Sequence, residues 1–263
     1  MRTKRLTHIE TDGGYDLSIS DLMAALCCIF ILVTISIVAS LKDKNSLADK
    51  YKKMQQELYL DLSDKLGDDL KKWGATIDPD TLSIRFPSVD ERGHDRQFAP
   101  RSSVPLESYK KILNEFFPKL VEVLEKDKYK NEIEEIRIEG FTSPDRTAKG
   151  GEGSEADYTS GIELSQERTM NVLLYCLNNT KYSTETDKNK REAEKDWIRK
   201  HIVANGYSLS RPLGKDGKLI VENRKLSDDE KAASRRVEFR IKTNSDKIVQ
   251  QFQNQNDSQK GGE

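Results

Sequence analysis

The hydrophobic pattern of the chain is dominated by one long apolar run that ends at residue 41. Residues 22–41 carry no charge. An α-helix of about 20 residues spans the roughly 30 Å hydrocarbon core of a bilayer. The pattern therefore predicts a transmembrane helix over 16–41, after a short polar leader at 1–15. The run is longer than the apolar core of a cleaved signal peptide, so an uncleaved anchor is expected.

Asp21 stands at the first turn of this run. A carboxylate inside a membrane is costly unless it meets a cavity, a partner or a proton, which makes it a candidate functional site. The alternative is a first-turn acid in the headgroup zone, where the helix dipole favours negative charge. Charge placement alone leaves both interpretations open. Ser20, Thr34 and Ser36 are expected to hydrogen-bond to their own helix rather than to line an ion path.

A polar helix with an apolar stripe follows the span. Leu58, Leu62, Leu66 and Leu70 recur at intervals of four, which places them on one helix face. The pattern predicts a helical linker over 42–78. Two partners fit the stripe equally well: the same helix of a second copy, in a short coiled coil, or the protein's own globular domain.

Residues 79–243 have the pattern of a globular domain. Alternating segments predict strands, and segments of helical period predict helices. Pro118 predicts a kink or a break in the first of these helices. The order of elements predicts an α+β fold, a βαβαβ sandwich of two layers. The predicted strands are 81–86, 135–140 and 237–241; the helices are 106–124, 164–177 and a short one from Trp197 to Asn205-Gly206; the polar insertions are 178–196 and 211–231; and a disordered tail covers 244–263.

Charge and composition exclude several classes of function. With 44 Lys and Arg against 45 Asp and Glu, the net charge is −1, so no basic field favours nucleic acid. Cys27 and Cys28 lie in the apolar run, and Cys176 lies on an apolar helix face, where a core position is expected. The three histidines are scattered without metal-ligand spacing. No nucleophile–base pair and no pair of carboxylates with catalytic spacing stands out. We therefore expect a protein that is not an enzyme and that binds no metal or cofactor.

Three segments of the domain resemble the OmpA-like peptidoglycan-binding domain over residues 81–242. Residues 140–143 (GFTS) end a strand where that family has Gly-His-Thr-Asp. Residues 164–168 (LSQER) match its Leu-Ser-x-x-Arg helix start. Residues 234–239 (SRRVEF) match its Asn-Arg-Arg-Val-Glu segment before the last strand. The resemblance implies a domain that binds the cell wall.

The resemblance also implies which residues contact the wall. In the family, the motif arginine and aspartate hold the diaminopimelate of the stem peptide, and an arginine fork suits a carboxylate. The alternative for the arginine, Arg168, is a surface salt bridge with a glutamate of its own helix, Glu163 or Glu167. Two family residues are absent: Ser143 replaces the aspartate, with Asp145 as a possible substitute, and Gly161 replaces an asparagine. The implied peptidoglycan-binding residues are Arg168, Ser165, Ser143, Asp145 and Arg235.

The start of the span, Ser-Asp-Leu-Met at residues 20–23, is similar to that of MotB-type stator subunits. In that family one aspartate at this place carries the ion, so the resemblance implies the same role for Asp21. The short leader, the Asp-Leu-Met start and the polar insertions look more like the ZorB subunits of Zorya anti-phage systems than like a flagellar MotB. A flagellar stator subunit and a passive membrane-to-wall tether remain as alternatives.

The resemblance further implies partners and location. It implies a ZorA-like or MotA-like polytopic subunit, with five copies around a homodimer of this chain. It also implies that peptidoglycan binds the domain and anchors the complex to the cell wall. It implies a bacterial inner-membrane protein with a cytoplasmic N-terminus and a periplasmic domain. The flanking lysines and arginines do not decide the orientation by themselves. A proton is the expected ion, although the sequence does not distinguish it from sodium.

Overall fold

The computed structural model describes residues 13–90, 92–144, 150–180, 187–214, 217–221 and 224–244, and, in its first helix, the side chains of 21–40 and 49–73. Most of the predicted leader and tail lies outside the described residues. The helices are α1 (Gly13–Trp73), α2 (Glu107–Leu124), α3 (Asp127–Lys130), α4 (Glu155–Asn179), α5 (Lys188–His201) and α6 (Asp228–Ser234). The strands are β1 (Thr76–Asp78), β2 (Ser83–Arg85), β3 (Ile133–Phe141), β4 (Ile202–Gly206) and β5 (Arg236–Thr243). The chain divides into two compact units, residues 1–51 and 52–263.

The strands of the second unit form one sheet in the order β1-β2-β5-β3-β4. β3 pairs in parallel with β4, and the other pairs are antiparallel. Because side chains alternate along a strand, one register fixes both faces of the sheet. Phe239 of β5 lies opposite Ile84 of β2 and Ile138 of β3, which builds an apolar face. The next positions, Arg85 and Glu238, belong to the other, charged face.

Helices cover the apolar face of the sheet and complete two layers. Ile84, Ile138 and Phe239 share one core with residues of α1, α2, α4 and α5. This arrangement confirms the predicted α+β sandwich. Cys176 of α4 is fully buried in the core, and burial raises the pKa of its thiol. The cysteine is therefore a core residue, as predicted.

The leucine stripe of α1 packs into its own domain. Leu58, Leu62 and Leu66 are fully buried in the same core as the sheet residues, and Leu70 is buried at its edge. The second of the two interpretations of the stripe is therefore the one that the structure supports. The compact unit also begins at Lys52, well before residue 79. The last turns of α1 thus belong to the globular domain rather than to a separate linker.

Two helices differ from the sequence prediction. α2 matches the predicted range but continues through Pro118 to Leu124, so of the predicted kink or break the break is absent. α4 begins at Glu155 rather than at residue 164, because the Ser154 hydroxyl accepts a hydrogen bond from the Asp157 backbone N–H (3.2 Å) and caps the helix.

The predicted helix from Trp197 to Gly206 is wrong in its second half. The helix, α5, ends at His201, and Ile202–Gly206 form β4, the edge strand next to β3. α5 begins already at Lys188, inside a segment predicted as a polar insertion, because the Asp187 carboxylate caps the backbone N–H groups of Asn189 and Lys190. The strand forms because it pairs with β3, a long-range contact that the local pattern does not contain.

Candidate functional site

The stretch Asp21–Ser40 of α1 is long and apolar enough to cross a membrane, judged by its length and composition. Its side chains are exposed, with Leu22 at 72% and Phe30 at 62%. Exposed apolar surface of this extent is typical of a surface that lipid or a partner covers. Asp21 lies at the start of this stretch and is itself exposed.

Thr34 hydrogen-bonds within its own helix, as predicted. Its hydroxyl lies 2.9 Å from the Phe30 carbonyl oxygen and 2.8 Å from that of Ile31. The side chain of Ser20 lies outside the described residues. Asp21 is thus the acidic group that the structure places in the apolar stretch.

Helix α4 lies very close to the ends of β3 and β4. A Cβ atom on Gly140 would lie 2.6 Å from Cγ2 of Thr169 and 2.7 Å from the Ser165 carbonyl oxygen. A Cβ atom on Gly206 would lie 2.6 Å from the backbone nitrogen of Gln166. Glycine at both strand positions permits this approach. It brings the helix segment that precedes the motif arginine next to the end of β3.

Arg168 of α4 is buried, with only 3% of its surface exposed. Its Nε donates to the Ser102 carbonyl oxygen (2.9 Å), and its Nη2 donates to that of Ala99 (3.4 Å). The guanidinium carbon lies 4.8 Å from the centre of the Phe98 ring. An arginine has five N–H donors, so part of the fork stays available to a ligand.

No carboxylate pairs with Arg168 within the described part of the chain. The surface salt bridge with Glu163 or Glu167 is therefore wrong. Burial, followed by the nearby charge of Arg235, lowers the pKa of Arg168 to about 10, and Asp95 opposes this shift. The guanidinium stays charged at neutral pH. A buried cation without an anion is costly, and the arrangement therefore suits an anionic ligand.

Ser143 and Arg235 contact each other close to Arg168. Nη1 of Arg235 donates to Oγ of Ser143 over 3.3 Å, and both residues are partly exposed. The charge of Arg235 also acts on Arg168. The structure thus brings together three of the five predicted residues: Arg235 just before β5, Ser143 just after β3, and Arg168 of α4. A fourth predicted residue, Asp145, lies outside the described residues.

Ser165 is fully buried below this cluster. Its Oγ donates to the Ile162 carbonyl oxygen (3.0 Å) and accepts from the Ser208 backbone N–H (3.1 Å). With no exposed surface, Ser165 supports the loop after β4 and does not itself reach the surface. The Ser165 hydroxyl lies between the Ile162 carbonyl of its own helix and the Ser208 amide of the loop after β4. It donates to the first and accepts from the second.

Gly161 occupies the place of the family asparagine, and the structure leaves no room for a side chain there. A Cβ atom would lie 2.4 Å from Oγ of Ser208 and 2.8 Å from Oγ1 of Thr142. Two hydroxyl groups of this chain therefore fill the position. Oγ1 of Thr142 is buried and has no hydrogen-bond partner among the described residues.

The two arginines of the SRRVEF segment have different environments. Arg236 is buried, lies with its guanidinium carbon 3.9 Å from the centre of the Phe141 ring, and donates to Glu238 (3.2 Å). Burial lowers the pKa of Arg236, and Glu238 counteracts the shift. Arg236 is thus a structural residue before β5, and Arg235 is the member of the pair at the site.

Sequence reasoning missed the segment that holds Arg168. Phe98, Ala99 and Ser102 come from the loop between β2 and α2, far from α4 in sequence. Gln97 fixes this loop, because its side chain donates to the Phe86 carbonyl oxygen (2.7 Å) and accepts from the Val237 N–H (2.8 Å). No spacing along the chain indicates these contacts, since they are made across the fold.

The apolar stretch and the three motifs on their elements define a class: a helix fit to span a membrane once, joined to an OmpA-like α+β domain. The chain is 33% identical over 257 residues to the Zorya protein ZorB of Escherichia coli (strain Crooks), over 94% of this chain and 97% of that protein. The chain belongs to the ZorB family. No protein-family profile matches it.

The chain is also similar, at lower identity, to several solved structures. A MotB-like protein from Desulfovibrio vulgaris is 22% identical, with a TM-score of 0.47 over 75% of this chain and 99% of that one. The cell wall anchor of the T6SS from Pseudomonas aeruginosa is 17% identical, with a TM-score of 0.40 over 69% and 96% of the two chains. The periplasmic domain of Helicobacter pylori MotB is 15% identical, with a TM-score of 0.36 over 67% and 82%.

Proposed function

We propose that this chain is the wall-anchored B subunit of an ion-driven inner-membrane motor that acts in defence against phage. The N-terminus is cytoplasmic and the OmpA-like domain is periplasmic. Membership of the ZorB family supports the defence role. The observation that carries the anchoring role is the state of Arg168: a buried, charged arginine, in the family's ligand position, without a carboxylate partner among the described residues.

The anchor works by pairing Arg168 with a carboxylate of the peptidoglycan stem peptide. The fork can hold both carboxylate oxygens, and the buried setting strengthens the ion pair. Arg235 adds a second positive charge, and Ser143 orients Arg235 through the 3.3 Å hydrogen bond. Ser165 acts indirectly, by holding the Ser208 amide. Asp145 remains a proposed contact from the loop after β3.

The motor works through Asp21. A carboxyl group can be neutral where it packs in apolar surroundings and charged where it meets water, so it can bind an ion on one side and release it on the other. One helix cannot enclose such a path, and a ring of ZorA-like subunits around a homodimer of this chain supplies the walls. A proton crossing 100 mV releases about 2.3 kcal/mol, enough to bias a change in packing.

The test separates the two halves of the proposal by using two substitutions in cells that carry the complete defence system. Asp21→Asn is expected to abolish protection, measured as plating efficiency, while the chain still sediments with purified sacculi. Arg168→Ala is expected to lose both protection and sacculus binding. Asp49→Asn is the matched control, because Asp49 is an exposed aspartate of the same helix beyond the apolar stretch.

A passive tether gives a different pattern in the same experiment. Asp21→Asn would then leave protection unchanged, and only Arg168→Ala would remove it. Arg168→Lys completes the set, since it keeps the charge but loses the fork, and its sacculus binding is expected to fall between that of the native chain and that of Arg168→Ala.

A further inference from the structure

The site has two cations but lacks the acid of its family. Arg168 and Arg235 lie near each other, and Ser143 stands where the family aspartate would be. A ligand end that carries both a carboxylate and an ammonium group needs a negative group as well as the guanidinium groups. A cluster of arginines alone repels the ammonium. If such a ligand binds, its ammonium needs an acid other than the family aspartate; Asp145 of the following loop is one candidate, and Asp95 is the one that lies among the described residues beside Arg168.

Asp95 lies on the segment that holds Arg168 in place. It pairs with Val89 in an isolated antiparallel bridge, and the next residue, Arg96, donates its N–H to the Ser88 carbonyl oxygen (2.8 Å). Phe98, three residues on, provides the ring against the Arg168 guanidinium. The backbone around Asp95 is thus fixed before any ligand arrives.

The same segment is bound to the strand that follows Arg235. The Gln97 side chain accepts a hydrogen bond from the Val237 N–H (2.8 Å). Asp95 lies two residues before Gln97, and Arg235 lies two residues before Val237, so this hydrogen bond links the two segments. The Ser88 hydroxyl also donates to the Ala232 carbonyl oxygen (2.6 Å). The loop after β2 is therefore held against α6 and the start of β5 on one side, and against α4 on the other.

The Asp95 carboxylate has no hydrogen-bond or ion-pair partner in the part of the chain that the structure describes. It is partly buried. Its charge nevertheless acts on the buried guanidinium of α4. A partly buried carboxylate without hydrogen bonds is unfavourable unless a ligand completes its environment.

We infer that Asp95 supplies the negative group of the wall-binding site and holds the ammonium of an amino-acid ligand end whose carboxylate pairs with Arg168. The inference rests on the proposed anchoring function. It assigns the acidic role to the loop after β2 instead of to the turn after β3, where the family has it. Asp95 sets which ligands the site accepts, and Arg168 provides most of the affinity.

The experiment measures how well small molecules release the full-length, detergent-solubilised chain from purified sacculi. The two competitors are meso-diaminopimelate and its N,N′-diacetylated derivative, which keeps both carboxylates and lacks both ammonium charges. The native chain is expected to prefer the free amine by about 10-fold, the usual size of one charged hydrogen bond. Asp95→Asn is expected to lose this preference while it still binds sacculi.

Asp64→Asn is the matched control, because Asp64 is an exposed aspartate of α1 and the substitution removes the same charge elsewhere in the domain. It should keep the preference. Asp95→Ser is a second variant at the site, and the thermal unfolding midpoint of each variant is measured in parallel. If Asp95→Asn and Asp95→Ser fold and still prefer the free amine, the inference is overturned while the anchor stands. If the native chain itself does not bind sacculi, the proposed anchoring function fails instead.

Discussion

The guanidinium carbon of Arg168 lies 4.8 Å from the centre of the Phe98 ring, so an aromatic face accompanies the cation where a carboxylate would be expected. An arginine over an aromatic face keeps its charge and its fork orientation without using an anion. This leaves the anion position for a ligand.

Phe98→Leu is expected to lower the affinity of the chain for sacculi by about 5-fold, because a cation–π contact contributes roughly 1 kcal/mol. Co-sedimentation with sacculi measures the effect. Phe86→Leu is the control: Phe86 is a buried aromatic residue that packs against Phe116 (4.9 Å between ring centres). It should reduce stability but not affinity. Equal losses of affinity in both variants would contradict a specific role for the ring.

Gly161→Ala is expected to destabilise the domain by about 1–3 kcal/mol, the usual cost of overpacking. The added carbon would lie 2.4 Å from Oγ of Ser208. Gly67→Ala is the matched control, because a Cβ atom on Gly67 would meet nothing within 4 Å. In the helix interior this control should be neutral or stabilise by about 0.5–1 kcal/mol. Chemical denaturation of both variants measures the difference, and a Gly161→Ala variant as stable as the native chain would contradict the close packing.

Leu62→Ala tests the assignment of the leucine stripe to the domain core. Removing a fully buried leucine side chain is expected to cost about 2–5 kcal/mol of folding free energy. The loss should not depend on protein concentration, since the stripe packs within one chain. Leu60→Ala, at a position 61% exposed on the same helix, should change stability little. A stability loss that disappears at high protein concentration would instead indicate a coiled coil between copies.

The sequence predicted β2, β3 and β5 because each alternates between a core face and a charged face. It missed two strands: β1, whose three residues fall at the end of the predicted helical linker, and β4, since Ile202–Gly206 follows a helix directly and shows no alternation of burial. β4 is specified by its parallel pairing with β3, a contact between distant segments. The short helix α6 did have a readable signal: Ser227 and Glu230 form a capping box.

The candidate site could be predicted only in part, for a similar reason. Arg168 and Arg235 belong to motifs that the sequence displays. The loop that holds Arg168 approaches it only in the folded chain, so Phe98 and Asp95 have no signal of their own in the spacing of residues. Ser165 shows the opposite case: it belongs to a motif, but the fold buries it completely.

Glu125 is expected to make folding stability depend on pH. Burial, followed by the charge of Glu194 on α5, raises the pKa of Glu125 from 4.5 to about 7, against the effect of Lys130. Oε1 of Glu125 is buried without a hydrogen-bond partner among the described residues. The folded state therefore binds a proton that the unfolded state releases between about pH 4.5 and pH 7, and stability falls as the pH rises through this window.

Glu125→Gln should remove that dependence, because the amide stays neutral. The native chain should lose about 1–2 kcal/mol relative to this variant between pH 5 and pH 7.5, an amount reduced by the partial exposure of the carboxyl. Denaturation at several pH values measures it. Glu122→Gln is the control, since Glu122 is exposed and forms an ion pair with Lys65 at 2.6 Å. Parallel stability curves for the native chain and Glu125→Gln would contradict the assignment.

The central claim is that the carboxyl group of Asp21 carries the ion. Its most direct test is the plating efficiency of phage on cells that carry the complete defence system with Asp21→Asn or Asp21→Glu. Asparagine keeps the size of the side chain but cannot take up or release an ion, so protection should fall to that of cells without the system. Glutamate keeps the carboxyl and should restore part of the protection. Full protection by Asp21→Asn, at native levels of the chain in the membrane, would contradict the account.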